Sequence, residues 1–362
     1  MAAMGAARLV LATACALAAA ALLAACGGGG DATDAGGPAP AAAESRPAPP
    51  KSDFPSSSGR SLREVVQNFG DKPAALRVEP AAMVFYPGRN RYPFGVFEPN
   101  GDEVTDAEVA LYMARVPAVK AGARSKAGNK GAVAKAEAQA LEQPAIGPFP
   151  ARIESLATEP EFRADADPEA PEPAGVVYSS ELEFPSEGTW RIAALVKEGD
   201  ELGGKLLPGV FVGEFKRVPR VGQQAPLIHT PTAADTGGDA SQLTTREPPE
   251  TQNKVDYADV LGKEPIVLLF ATPRFCQSPV CGPVVDQTEQ AQRKYGEDAA
   301  FIHMEIFNDN DPGDGPRPQV RAFHLPTEPW LFTIDRDGVI REAIEGAFGT
   351  QLLDQAIEKA IR

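Results

Sequence analysis

The stretch from Pro265 to Gln287 constrains the fold of this chain more than any other. Its first part, PIVLLFA (265–271), is apolar without interruption. That suits a strand covered on both faces, as in the middle of a parallel or mixed sheet, since a strand with one wet face would alternate. A Thr272-Pro273 break ends the run, and Cys276 and Cys281 then stand on either side of the start of an amphipathic helix that continues to Tyr295. Punctuation leaves two starts for this helix. Ser278-Pro279 supplies a cap and a first position, whereas Pro283 sits more easily in the first turn of a helix beginning near Cys281.

The pattern continues in kind to the end of the chain. A short helix is expected over Asp256–Gly262, a second apolar strand over Ala299–Ile306, and a short helix over Gln319–Phe323. Two strands, Trp330–Asp335 and Val339–Ala343, join across Asp337-Gly338, and Thr350–Ile361 is the closing helix. This β-α-β-α-β-β-α order predicts a mixed sheet with helices on its faces over residues 257–362, a length that suits one core.

With 362 residues the chain has room for a second domain. Lys and Arg total 35 against 50 Asp and Glu, a formal charge of -15, which opposes binding to nucleic acid or to an anionic membrane surface. The first 26 residues read as an export signal, with Arg8 ahead of the apolar run Leu9–Ala25. Its end, Leu23-Ala24-Ala25-Cys26, resembles the lipobox of bacterial lipoproteins. That resemblance implies acylation of Cys26 as the mature first residue and a protein held by lipid on the extracytoplasmic side of a membrane, burial of acyl methylenes supplying the attachment. Residues 27–60, rich in Gly, Pro, Ala and Ser, read as a disordered tether. Of the four cysteines, Cys15 and Cys26 belong to the signal and lipid site, leaving Cys276 and Cys281 as an isolated pair that an oxidising compartment would readily join.

Residues 61–215 turn often and alternate, as in EVALYMARV and EFPSEGTWRIAALV, where Trp190, Ile192 and Ala194 share one face after a turn at Gly188. Short strands with frequent turns predict an antiparallel β sandwich with Trp190 in its core. The order FPSEGTW followed by an alternating strand resembles a strand pair of immunoglobulin-like modules of secreted proteins, over about Val78 to Phe215. Residues 118–147, polar and locally basic, interrupt the pattern and read as a mobile insertion or a short exposed helix around Ala132–Leu141. Residues 216–256 read as a linker, part of which is expected to pack as an irregular arm on the carboxy-terminal domain, because a structureless connection of that length is uncommon.

The strand end LLF, the cysteine pair at the first helix, and EPWLFTIDRDGVI about fifty residues later resemble the thioredoxin fold, in particular its exported cytochrome-maturation and redoxin branch. Val221-Gly222-Gln223-Gln224-Ala225-Pro226 resembles the lead-in of that branch. The chain is thus expected to be an α/β thioredoxin-like fold preceded by an all-β sandwich-like domain. The resemblance implies exchange of electrons between the Cys276/Cys281 pair and protein thiols or disulfides, with no bound cofactor. The family spaces its cysteines by two residues and this chain by four, so two registers stand. Either Cys276 is the attacking thiol and Cys281 a displaced resolving one, or Cys281-Gly282-Pro283-Val284 matches the family's Cys-Gly-Pro-Cys and Cys276 comes from the preceding loop. In both, a thiol at a helix amino terminus is biased toward thiolate, and Arg274 would lower its pKa further. Strand length places the family's cis proline at Pro329 rather than Pro326, with the Glu328 backbone offered to an extended substrate and the Glu328 carboxylate tending to raise a neighbouring thiol's pKa. Two rivals remain: a non-catalytic scaffold with a structural Cys276–Cys281 bond, and a copper carrier using Cys276, Cys281 and His303 or His324.

Overall fold

The computed structural model describes residues 43–67, 76–118, 130–165, 172–199, 201–276 and 278–362. The expected signal segment and the lipid site Cys26 lie outside them. Residues Ala42–Arg362 form one compact unit.

The amino-terminal part is built on eight strands: β1 (Arg77–Pro80), β2 (Gly88–Phe97), β3 (Glu108–Arg115), β4 (Ile146–Ser155), β5 (Val176–Phe184), β6 (Gly188–Glu198), β7 (Glu201–Leu206) and β8 (Val210–Val212). They pair antiparallel in the order β1-β2-β5-β4-β3-β6-β7, with β8 also on β6, and curl into a β-sandwich-like shell. Period-two alternation fixes which side chains turn inward. Tyr92, Phe94 and Val96 of β2, Val109, Leu111 and Met113 of β3, and Trp190, Ile192, Ala194 and Val196 of β6 meet in one core. Trp190 lies there as expected, its indole N–H donating to the Ser186 carbonyl at 3.0 Å.

Two segments differ from the sequence expectation. Residues 43–60, expected within the tether, pack on the sandwich: Arg46 pairs with Ile153 across both backbone bonds, and Phe54 is buried beside Tyr112 and Leu195. Further bonds add to these, the Tyr112 hydroxyl donating to the Pro55 carbonyl at 2.7 Å and the Ser155 amide to the Ser45 hydroxyl at 2.9 Å, and together they order a Pro/Ser-rich stretch whose composition alone argues against it. In the insertion, α2 (Lys130–Ala140) is a helix whose Ala136 and Ala140 are buried with Val116, so its small face lies on the shell where exposure was expected; residues 119–129 lie outside the described set. Before it, α1 (Leu62–Gln67) starts from a capping box in which Ser61 and Glu64 exchange side-chain to backbone bonds.

The carboxy-terminal part is a thioredoxin-like α/β fold. Strands β9 (Ile266–Ala271), β10 (Ala300–Glu305), β11 (Trp330–Ile334) and β12 (Ile340–Glu345) form a sheet in the order β10-β9-β11-β12. The β9–β10 pair is parallel and the other two pairs antiparallel. Every residue of β9 is buried, as its unbroken apolar run requires. Val267, Leu269 and Ala271 face a core shared with α4 (Cys281–Tyr295) and α6 (Thr350–Ile361), while Ile266, Leu268 and Phe270 face one shared with α3 (Tyr257–Val260) and the residues around α5 (Pro318–Ala322). The β sandwich enters both cores, through Leu156, Ala174 and Val177 on one side and Val84 on the other.

The arm over residues 216–256 is held to the sheet at several points. Gln224 bridges to Val339, Ala225 and Ile228 are buried in the second core, and the His303 N–H donates to the Gln252 carbonyl at the outer edge of β10.

Candidate functional site

Cys276 and Cys281 are joined by a disulfide, with their Cα atoms 6.0 Å apart. The helix α4 begins at Cys281, so Pro283 falls in its first turn and Cys276 comes from the loop that leaves β9. Of the two helix starts read from sequence, the structure has the later one. Cys281 is fully buried against Val284 and Val285, whereas Cys276 is only partly covered, its Sγ 3.8 Å from the Ser278 hydroxyl. No side chain caps α4. The first-turn amides have no intrahelical acceptor, so the positive end of the helix dipole stands at the disulfide.

The Glu328-Pro329 peptide is cis, the isomer the thioredoxin resemblance implies at that position. Thr327 accepts the Trp330 indole N–H at 3.0 Å and donates to the Glu345 carboxylate at 2.6 Å. Glu345 in turn accepts the Met83 and Val84 amides of the β sandwich at 3.0 and 2.9 Å. A single buried carboxylate therefore fixes both the proline loop and the sandwich segment beside it, and burial holds that carboxyl above its ordinary range.

Between these parts lies a cleft of about 400 Å³. Ser278, Pro279 and Val280 of the cysteine loop, and Pro326, Thr327 and Glu328 of the proline loop, form one side; Pro80–Met83, Phe97 and Glu103 of the sandwich form much of the other. The loop is tied to the sandwich directly, since the Ala174 amide donates to the Pro279 carbonyl at 2.8 Å. Glu328 has no ion pair among the described residues; burial, and then the charge of Glu305, hold its carboxyl above the usual range. Arg274 does not line this cleft. It is exposed, lies over the Phe275 ring at 6.0 Å, and its amide donates to the Thr245 hydroxyl.

His303 is a core residue. Its Nδ1 lies 2.7 Å from the Glu250 carboxylate and its Nε2 3.1 Å from the Ala271 carbonyl, with both His303 and Glu250 side chains fully buried. Two acceptors on one imidazole call for two N–H donors, hence an imidazolium facing a carboxylate. Burial opposes both charges; mutual attraction outweighs it, raising the His303 pKa and bringing Glu250 down to about 2. With both ring nitrogens engaged and both thiols in the disulfide, the copper set of Cys276, Cys281 and His303 is not assembled. Among the described residues no group of three or more His, Cys, Asp or Glu is placed to hold a metal ion.

Sequence reasoning missed the arm's contribution beneath the site. Thr245 holds the Arg274 amide on one side and donates to buried Glu305 at 2.8 Å on the other. Arg246, 4% exposed, bonds Asp286 of α4 at 2.8 Å and the Phe162 carbonyl of the sandwich at 2.7 Å. The polar run TTREPPE carries no periodicity that would announce these contacts.

No protein-family profile and no curated protein matches the chain. Among solved structures, that of a putative thiol:disulfide interchange protein DsbE from Chlorobium tepidum is similar over 40% of this chain and 99% of its own length, at 18% identity and a TM-score of 0.28. A likeness of that size decides nothing about activity.

Proposed function

We propose that this chain is an extracytoplasmic thiol–disulfide oxidoreductase, lipid-anchored at Cys26, that exchanges electrons between the Cys276/Cys281 pair and protein thiols or disulfides. One observation carries the reading: the pair is closed as a disulfide at an uncapped helix start, with one sulfur buried and the other partly covered and 3.8 Å from the hydroxyl of Ser278, which lines a cleft. Cys276 is the entry sulfur. In the oxidising direction a substrate thiolate attacks Cys276 Sγ, the Cys276–Cys281 bond breaks, and the electron pair leaves on Cys281, stabilised by the first-turn amides of α4. A second substrate thiolate then attacks the substrate sulfur of the mixed disulfide and releases Cys276. The substrate loses two electrons and two protons to the enzyme pair, and the reverse sequence reduces a substrate disulfide.

Glu328 and Pro329 support the reading through the cis peptide that joins them and the place of Glu328 in the same cleft lining as the cysteine loop, and Glu328 would disfavour a neighbouring thiolate while it is ionised. Arg274 acts, in this reading, only as a solvent-exposed positive charge two positions before Cys276. The lipid anchor rests on Leu23-Ala24-Ala25-Cys26. No helix among the described residues is long and apolar enough to cross a membrane.

A second reading has a specific observation in its favour. The Ala174 to Pro279 bond pins the cysteine loop to the sandwich, as a fixed structural disulfide in a scaffold protein would favour. Reduction of a protein disulfide by dithiothreitol, with wild-type protein and with Cys276→Ser as catalyst, separates the two. The oxidoreductase accelerates the reaction and the variant does not; equal rates for both, matching the uncatalysed one, would leave the scaffold.

A further inference from the structure

The cleft lined by Ser278, whose hydroxyl lies 3.8 Å from Cys276 Sγ, is not a feature of the thioredoxin-like part alone, because the β sandwich supplies much of its lining. That wall is rigidly placed. Glu345 binds the Met83 and Val84 amides, the Arg91 guanidinium reaches the Ala347 carbonyl at 2.5 Å, and Glu154 accepts the Gly349 amide at 2.9 Å. The wall brings the apolar Pro80, Met83 and Phe97 to a lining that also holds Val280 and Pro326 of the thioredoxin-like part, and Met83 is 44% exposed. The charges in the lining all have one sign: Glu79, Glu103 and Glu328, with no Lys, Arg or His. Glu79 is partly neutralised by Arg77 at 3.2 Å. Glu103 accepts the Gly175 and Val176 amides, and among the described residues neither it nor Glu328 carries an ion pair. A cleft with low-dielectric walls and unneutralised carboxylates concentrates cations.

We infer that this cleft is the substrate site of the exchange reaction, and that it selects protein segments in which the reacting cysteine is flanked by basic and apolar residues. The inference rests on the oxidoreductase reading and adds its substrate class. The sandwich is then part of the specificity apparatus: apolar neighbours of the substrate cysteine lie on Met83 and Phe97, and a Lys or Arg pairs with Glu103, which neighbours Phe97 on that wall, or with Glu328 of the proline loop. The chemistry is that given above, with the segment's thiol as the co-reactant.

The test uses the whole protein in its oxidised form. Two synthetic peptides, each with one cysteine and the same apolar neighbours, carry either two lysines or two glutamates, and the rate of mixed-disulfide formation at Cys276 is followed at pH 8, above the raised carboxyl range of the cleft. The lysine peptide is expected to react faster by on the order of tenfold at low salt, the ratio falling as salt is added. Because the chain is acidic throughout, Glu103→Gln is compared with Glu297→Gln, an exposed position beyond the far end of α4 that changes net charge equally. Glu103→Gln should lower the ratio by about threefold and Glu297→Gln should not move it. Equal rates for the two peptides, a faster acidic peptide, or equal effects of the two substitutions would overturn the assignment and leave the cleft to a neutral segment or a second copy of the chain. Failure of free dithiothreitol to open the disulfide reversibly would instead overturn the oxidoreductase reading itself.

Discussion

Glu250→Gln removes one charge from the fully buried pair that joins the arm to β10, while nearly preserving the side chain's shape. Burial alone would raise the Glu250 carboxyl, but His303 outweighs it and takes the group from an ordinary 4.5 to about 2. At about 1.36 kcal/mol per unit that displacement is on the order of 3 kcal/mol. The usual cost of stripping one partner from a buried ion pair, roughly 3–5 kcal/mol, agrees. A carboxyl whose pKa is lower folded than unfolded contributes its stability above the unfolded value, and loses it as pH falls through the folded value. The wild type should therefore exceed the variant by about 3 kcal/mol near pH 6 and by only about 1 kcal/mol near pH 3. His303 works in the opposite sense: raised by Glu250 against the pull of burial, its contribution is complete below its ordinary 6.5 and is lost as pH rises through the folded value. Urea unfolding followed by tryptophan fluorescence, extrapolated linearly to water, measures the difference. A difference below about 1 kcal/mol near pH 6, or one that does not change between about pH 6 and pH 3, would refute a buried ionised pair.

Three further outcomes are expected. Cys281→Ser should accumulate a mixed disulfide with a substrate protein through Cys276, whereas Cys276→Ser should accumulate none, because Cys281 is fully buried; nonreducing gels and mass spectrometry read the adducts. Arg246→Met leaves Asp286 buried without its partner and should destabilise the protein by roughly 3 kcal/mol at neutral pH in urea unfolding. The Asp286 carboxyl, already raised by burial in excess of the pull of Arg246, rises further in that variant, so part of the loss should return as pH falls. Gly346→Ala places a methyl group 2.6 Å from the Ala81 carbonyl at a backbone φ of +78°, where the proline loop meets the sandwich, and should cost on the order of 1–3 kcal/mol by thermal melting.

Much of the fold was legible because it follows from period and punctuation. The unbroken apolar run of β9 marks a central strand, the alternation through Trp190 marks an inward face, and Thr350–Ile361 is the final helix as read. Pro329 was legible from strand length, and the cysteine pair from its place between strand and helix. The helix start was not, because Ser278-Pro279 and Cys281-Gly282-Pro283 are both acceptable openings and only the packing of Cys281 against Val284 and Val285 chooses between them. Thr245, Arg246 and Glu250 were invisible for a different reason: each acts through long-range bonds from an irregular segment, and such bonds leave no pattern along the chain. The sandwich wall of the cleft was equally hidden, since it depends on how Glu345 gathers the Met83 and Val84 amides some 260 positions away.

The most direct measurement is the redox equilibrium of the protein lacking residues 1–26, poised against graded dithiothreitol or glutathione ratios, with thiol trapping and mass spectrometry. A reversible two-electron transition linking Cys276 and Cys281 in the folded protein is expected, and its midpoint would give the direction of exchange. A pair that never bonds, or a bond that resists reduction until the protein unfolds, would contradict the oxidoreductase reading and leave the chain a scaffold.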